Sequence, residues 1–314
     1  MENAPLKFET RFLKPAGFVF DHFITDDGVR LRYGVIRPEG QVRGHIILLH
    51  GFSEFIEKYF ETITDFIAEG YAVYSFDWRG QGRSDRHFED LPERVYSQGF
   101  GKDVAHLKSF MTQIVGDVQP RYLFAHSMGG HIALRYLHDQ PHAVKAAILS
   151  APMMGFNLPL PRPLARILLK TLHLLRLDHH DATRDAHWSR KRPPLEEDPR
   201  SKDPVRRLVH YMWCEQDTAY RLGNISLGWV YQALRSVIHM EHDGYLEEIT
   251  TPLLIGVAGH EKIVDNKAIY QAATRLPSVE LIELDTAEHE LLMERDPIRS
   301  VFLQRCFAFI KAQD

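Results

Sequence analysis

The residues Ala125-His126-Ser127-Met128-Gly129 place a serine between small residues two positions to either side. A strand-like run, Arg121 to Ala125, enters this segment and a helical pattern leaves it at once. A serine at so sharp a strand-to-helix turn is held clear of the sheet, an arrangement known as a nucleophile elbow. The usual form is G-x-S-x-G, and Ala125 adds one methyl group to the turn. A glycine-rich helix start is the plain alternative, but the strand before and the helix after favour the elbow. The chemistry would be nucleophilic attack by the Ser127 hydroxyl, which needs a base for its proton and an acid to orient that base.

Of the 18 histidines, His50, His126, His260 and His289 lie near the carboxyl ends of predicted strands, where open α/β sheets bind their ligands. His126 adjoins Ser127 and should point away from it, and His50 lies on a loop better suited to backbone donors. His289 follows the last predicted strand and satisfies the chain order Ser…acid…His, so it is the expected base. Two carboxylates follow the preceding strand, Glu261 and Asp265. Asp265 is also placed to accept the free N–H groups of a helix starting near Asn266, so Glu261 is favoured as the acid and Asp265 is the alternative. An oxyanion developing at the substrate needs donors aimed at it. By position these are the backbone N–H groups of Met128 and of Phe52, in the loop His50-Gly51-Phe52-Ser53-Glu54.

These groups need a scaffold, and the chain supplies short apolar runs alternating with helix-period segments, the signature of a mostly parallel sheet. Strands are expected at 18–25, 29–36, 45–50, 71–76, 121–125, 145–150, 252–257 and 279–284. The first two flank Asp26-Asp27-Gly28, a hairpin signal. Helices are expected at 54–69, 101–115, 128–139, 266–275 and 296–312. Between residues 152 and 239 the alternation stops in proline-rich, charge-rich sequence. The reading is an α/β core of residues 1–152 and 240–314 with a helical cap, 153–239, inserted after the sixth strand. At 314 residues this suits one large α/β domain with an insertion.

The chain carries 38 Lys+Arg against 42 Asp+Glu, a formal net charge of −4, and no nucleic-acid partner is expected. Within the cap, Leu160 to Trp213 holds 12 Lys+Arg against 7 Asp+Glu, while the remainder holds 26 against 35. Leu164, Ile167, Leu168, Leu172 and Leu175 share one helical face, with Arg162, Arg166, Lys170 and His173 opposite. Such a helix covers its own core, or forms a lid that shelters an acyl chain and rests peripherally on an anionic membrane surface. Asp178-His179-His180-Asp181 has the residue types of a metal site but no partner cluster, so no metal is expected. Two cysteines, Cys214 and Cys306, are too few for a disulfide framework and agree with a reducing, cytoplasmic compartment. Met1 to Phe20 carries Glu2, Lys7, Glu9, Arg11 and Lys14 without the apolar run of a signal peptide, and no stretch is long enough for a membrane span. Nothing in the sequence specifies an oligomeric state.

The chain resembles α/β-hydrolases of the bacterial lysophospholipase and monoacylglycerol lipase branch. The likeness is carried by His50-Gly51, Asp77-Trp78-Arg79-Gly80-Gln81-Gly82-Arg83-Ser84, the Ser127 elbow, Ser150-Ala151-Pro152-Met153, Val264-Asp265-Asn266 and Glu288-His289-Glu290-Leu291. It implies the α/β-hydrolase fold and a carboxylic ester hydrolase acting on lipid-like monoacyl esters, without a cofactor. It also implies that the Asp77 to Ser84 stretch is a structural loop near the active-site floor, outside the triad. Two positions depart from the branch: Ala125 in the elbow, and Glu261 where monoacylglycerol lipases usually carry Asp. Acyl transfer to an alcohol, a broad carboxylesterase activity, and non-catalytic lipid binding on the same scaffold are the alternatives.

Overall fold

The computed structural model describes residues 8–182, 187–223 and 225–313. Glu2 and Lys7 of the amino-terminal segment, and Arg184 and Asp185 of the cap charge pattern, lie outside them. In chain order the elements are β1 (Val19–Ile24), β2 (Arg30–Ile36), β3 (Gly44–Leu49), α1 (Phe60–Ala68), β4 (Tyr71–Phe76), α2 (Phe100–Phe110), β5 (Arg121–His126), α3 (Met128–Asp139) and β6 (Ala146–Ser150). There follow α4 (Arg162–Leu174), α5 (Val209–Gln216), α6 (Leu227–Met240), β7 (Leu253–Ala258), α7 (Asn266–Ala273), β8 (Val279–Leu284) and α8 (Asp296–Lys311).

One eight-stranded sheet has the order β1-β2-β4-β3-β5-β6-β7-β8. β1 pairs with β2, and β2 with β4, antiparallel; every later pair is parallel. The expected hairpin is present, with Gly28 at φ +80° closing the turn, a conformation open to glycine at no steric cost. The central strands are mainly apolar and buried along nearly their whole length because both faces are covered. In β3, Ile46 and Leu48 join the cluster containing Phe60, Ile63, Phe66, Phe302 and Phe309 of α1 and α8. Ile47 and Leu49 join the opposite cluster, with Leu107 of α2, Ile132 of α3 and Ile269 of α7. The two-residue period of a strand thus divides one apolar run between two cores.

Helix boundaries depart locally from expectation. The segment read as one helix from Glu54 opens with a 3-10 turn, Ile56–Tyr59, before α1. The segment read through Val115 leaves α geometry at Phe110 for a π turn, Met111–Val115, ended by Gly116 at φ +65°.

Among the described residues between β6 and β7 there is no strand of the sheet, and α4, α5 and α6 lie there. The amphipathic pattern of α4 has an outcome that composition could not supply. Its buried positions are Ala165 and Leu169, whereas Leu164, Ile167, Leu168 and Leu175 are 57%, 64%, 47% and 63% exposed. The apolar stripe does not cover a core; it faces outward. Part of the basic excess of this segment is answered by carboxylates, some of them in the sheet domain. Arg192 pairs with Glu215, Arg200 and Arg207 with Asp198, Lys202 with Glu288, and Arg206 with Glu61, Asp203 and Asp296.

Candidate active site

Ser127 occupies the tight turn between β5 and α3 with φ +50° and ψ −116°. Non-glycine backbone in this region is strained and persists only where its surroundings hold it. Here the Ser127 N–H donates to Ser150 O at 2.9 Å and the His131 N–H donates to Ser127 O at 3.1 Å, tying the turn to β6 and to α3. A Cβ on Gly129 would stand 2.5 Å from His50 O, so the start of α3 approaches the end of β3 at a distance only glycine permits. Ala125 is fully buried in β5, in register with Leu49 of β3 and Leu149 of β6. Its extra methyl is absorbed by the sheet, not by the turn.

His289 lies buried in the loop after β8, with Nε2 2.9 Å from Ser127 Oγ and Nδ1 2.7 Å from Glu261 Oε2. Glu261 is held in turn by the loop after β7. Its Oε1 accepts the backbone N–H groups of Ile263, at 2.7 Å, and Val264, at 3.1 Å. Burial alone would raise the Glu261 carboxyl, but the His289 hydrogen bond and charge, aided by those two N–H groups, hold it below its ordinary value. Asp265, the alternative acid, is not part of this line. Its side chain caps α7, accepting the Lys267 N–H at 2.9 Å, while its own N–H donates to Gly155 O.

The Phe52 and Met128 N–H groups have no acceptor among the described residues, which leaves both free as donors beside Ser127. Gly51 packs directly against the serine, since a Cβ there would lie 3.2 Å from Ser127 Cβ. The Gly51 N–H donates to Glu54 Oε2 at 2.5 Å, and Ser53 at φ +57° completes the bend. Trp78 Nε1 donates to His50 O at 2.9 Å, and His50 Nε2 contacts Asp77. Asp77 is otherwise saturated by Arg32 and by the N–H groups of Ile56 and Arg83. The Asp77 to Ser84 stretch therefore braces the donor loop and makes no contact with His289. His126 is buried against Ser150 O, and burial pushes it down to about 4; His260 is exposed.

Beneath the site lies a charged cluster that sequence reasoning missed. Lys58 is almost fully buried, with Nζ 2.6 Å from Glu54 Oε1 and 2.7 Å from Glu290 Oε1, and Tyr59 OH donates to Glu54 Oε2 at 2.7 Å. Burial disfavours the Lys58 charge, but the Glu290 and Glu54 carboxylates reverse that and raise its pKa. The only sequence signal was the four-residue spacing of Glu54 and Lys58, which by itself describes a solvated helix pair. The segment between β6 and β7 reaches the site here, where the N–H groups of His289 and Glu290 donate to the Pro199 and Arg200 carbonyls. Asp178, from the segment with metal-ligand residue types, instead accepts from Tyr96 OH and pairs with His173.

Residues 40–296 match the sequence family described as serine aminopeptidase, S33. The chain belongs to this family of α/β-hydrolases. Proteins similar to it include the probable lysophospholipase L2 of Haemophilus influenzae, 29% identical over 288 residues that span 91% of this chain and 90% of that protein. The monoacylglycerol lipase of Mycolicibacterium smegmatis is 32% identical over 130 residues, 41% of this chain and 44% of that protein. Among solved structures, a highly thermostable carboxyl esterase from Bacillus coagulans in complex with glycerol matches with a TM-score of 0.74 at 18% identity, covering 95% of this chain and 99% of that one. The S33 family assignment agrees with the α/β-hydrolase resemblance of the motifs, and the eight-stranded, mostly parallel sheet is the scaffold they implied.

Proposed function

We propose that this chain is a serine hydrolase cleaving the carboxylic ester of single-chain, lipid-like substrates, lysophospholipid or monoacylglycerol, through an acyl-enzyme on Ser127. The observation that carries the reading is the unbroken line Glu261–His289–Ser127, at 2.7 and 2.9 Å. His289 Nε2 accepts the Ser127 proton as Oγ attacks the ester carbonyl carbon. The oxyanion takes hydrogen bonds from the Phe52 and Met128 N–H groups. Collapse breaks the ester bond, and His289 returns its proton to the leaving alcohol. Water, deprotonated by His289, then attacks the acyl group and releases the fatty acid with Ser127 restored. Glu261 remains ionised throughout, fixing the imidazole tautomer and offsetting the imidazolium charge. Every step uses the chain's own groups and water. The substrate class follows the names of the lysophospholipase L2 and monoacylglycerol lipase relatives.

The decisive experiment compares the chain with Ser127→Ala on a panel of short-chain esters, monoacylglycerol and lysophospholipid, alongside covalent labelling by a fluorophosphonate. Turnover of the long-chain esters and labelling are expected, both abolished by Ser127→Ala. Labelling retained in the variant would overturn the role of Ser127. Binding without turnover would favour a lipid-binding protein, and ester product in the presence of an alcohol would favour acyl transfer.

Residues 153–239 serve as the cap, and its outward stripe supports peripheral contact with an anionic membrane from the cytoplasmic side. Leu164, Ile167 and Leu168 supply the apolar face, and exposed Arg166, Lys170 and Arg176 supply charge on the same helix and the turn that follows it. Among the described residues no helix is long and apolar enough to cross a membrane, so the contact would be interfacial. Sedimentation with phosphatidylglycerol vesicles should be lost in Leu164→Ser/Ile167→Ser/Leu168→Ser while turnover of a short-chain ester persists. Equal sedimentation of the variant would remove α4 from the contact.

A further inference from the structure

The two donors aimed at the oxyanion are held in different ways. Met128 opens α3, so the direction of its N–H is set by the helix. Phe52 lies in the loop after β3, next to Ser53 at φ +57°. The peptide before Phe52 is fastened at its carbonyl, where His50 Nδ1 donates to Gly51 O at 3.0 Å. On either side, the Gly51 N–H is taken by Glu54, and the Glu54 N–H donates to Gln81 Oε1 at 3.3 Å. Between those bonds the Phe52 and Ser53 backbones make no hydrogen bond among the described residues. The remaining anchor of Phe52 is its ring.

That ring meets the inserted segment. Trp229 of α6 packs on it with centroids 4.6 Å apart and also meets Phe100 of α2, edge-to-face, at 5.9 Å. The three rings and Met128 border a cavity of only about 20 Å3, room for about one water, so the indole packs against the donor loop with little space to spare. The start of α6 is itself firmly seated. Ser226 Oγ accepts the Trp229 N–H at 3.1 Å, and the Leu227 and Gly228 N–H groups donate to His180 O at 2.9 Å and Asp178 O at 2.7 Å. These are N–H groups that a helix start leaves without intrahelical partners, and all three are answered. A Cβ on Gly228 would stand 2.5 Å from the Tyr96 ring, so the helix also approaches the core closely here. The indole, 8% exposed, is presented to Phe52 from a fixed base.

We propose that Trp229 is a positioning residue for the reaction at Ser127: its ring contact holds Phe52, and so keeps the Phe52 N–H directed at the oxyanion. The inference rests on the acyl-enzyme reading above. The oxyanion forms only as Oγ attacks, so a donor fixed beforehand lowers the barrier without tightening the ground-state ester. Seating of α6 thereby becomes a condition for full turnover. A displaced α6 would leave the Glu261–His289–Ser127 line in place and loosen one of its two oxyanion donors.

The test uses the full chain and p-nitrophenyl butyrate, with kcat taken per site titrated by a fluorophosphonate and circular dichroism as a control for folding. Trp229→Ala should lower kcat by about 10- to 100-fold, the effect of a catalytic group misplaced by about 1 Å, with KM within about twofold. Phe52→Ala removes the ring but keeps the N–H, and should lose as much. The double variant should lose no more than either single change, because the two rings act as one contact. Trp229→Phe keeps a ring on Phe52 and should recover kcat to within about threefold of the unaltered chain. An alkyl trifluoromethyl ketone supplies a second readout. Ser127 Oγ attacks its carbonyl carbon to give a hemiketal oxyanion while His289 takes the proton, and its affinity should fall in step with kcat/KM. Should Trp229→Ala fail to fold, Trp229→Leu, which keeps an apolar side chain there, takes its place in the cycle. Losses that multiply in the double variant, an unchanged kcat per titrated site, or a rise in KM alone would overturn the positioning role. An unaltered chain that neither labels nor turns over the ester would instead overturn the Ser127 reading.

Discussion

Glu261 holds His289 with one oxygen, 2.7 Å from Nδ1, and with the other accepts two backbone N–H groups of its own loop. The carboxylate is therefore fixed by its own loop as well as by the imidazole. Four residues on, Asp265 does a different task at the start of α7.

Glu261→Gln should keep the geometry but hold the imidazole in the wrong tautomer, lowering kcat by roughly 10² to 10⁴. Asp265→Asn should stay within about twofold in kcat, since Asn caps helices as well as Asp does. Steady-state kinetics on a soluble ester, with circular dichroism as a control for folding, separates the two. The reverse order of losses would transfer the acid role to Asp265.

Gly129 and Ala125 flank the same serine with opposite tolerances. Gly129→Ala drives a Cβ to 2.5 Å from His50 O and 2.9 Å from Leu49 O, both backbone atoms that cannot swing aside. A loss of about 1–3 kcal/mol or more is expected, read as a lowered denaturant midpoint together with lost turnover. Ala125→Gly should cost about 1 kcal/mol at most, the ordinary penalty of glycine inside an element, and leave turnover measurable.

Lys58→Met leaves the Glu54 and Glu290 carboxylates buried and facing each other without a cation. Breaking a buried ionic cluster this way costs about 3–5 kcal/mol, so thermal unfolding should shift down by many degrees. Because Glu54 also holds the Gly51 N–H, residual folded protein should show a reduced kcat. A variant with unchanged melting temperature would mean that the cluster is solvated.

Four buried or half-buried histidines set an acid limit. Burial pushes His126 down to about 4, and His87, His131 and His210 down to about 3. The folded chain thus refuses protons that the unfolded chain accepts near the ordinary imidazole value of 6.5. Stability is complete above that value and falls as the pH drops below it, by up to about 1.4 kcal/mol per pH unit for each such group until its folded value is reached. His210 stacks on Phe55 with centroids 5.6 Å apart, so His210→Phe should keep the packing and flatten the decline of melting temperature between pH 6 and 4. An unaltered slope would exclude His210 from the effect.

Local pattern made much of the site legible. The apolar run of β5, the small residues of the elbow and the periodic start of α3 each stand within a dozen residues of Ser127, and Glu261 and His289 follow strands whose runs are equally plain. The failures share one cause, which is that periodicity defines a face but not what it meets. The α4 stripe was as readable as any helix, yet its leucines face outward. The cap's basic excess was counted correctly, but Arg206 answers Glu61 of α1 across 145 residues, a pairing no local window contains. Lys58 gave no signal of its own, because its burial depends on Glu290, far along the chain.

The two backbone bonds from His289 and Glu290 to Pro199 and Arg200 also restrict how the lipid site can be entered. Together with the hydrogen bond from Arg206 to Glu294 O they bolt the rear of the inserted segment to the loop bearing the histidine, so that lifting this half would drag the imidazole off the serine. Admission of a chain therefore has to leave this rear attachment in place.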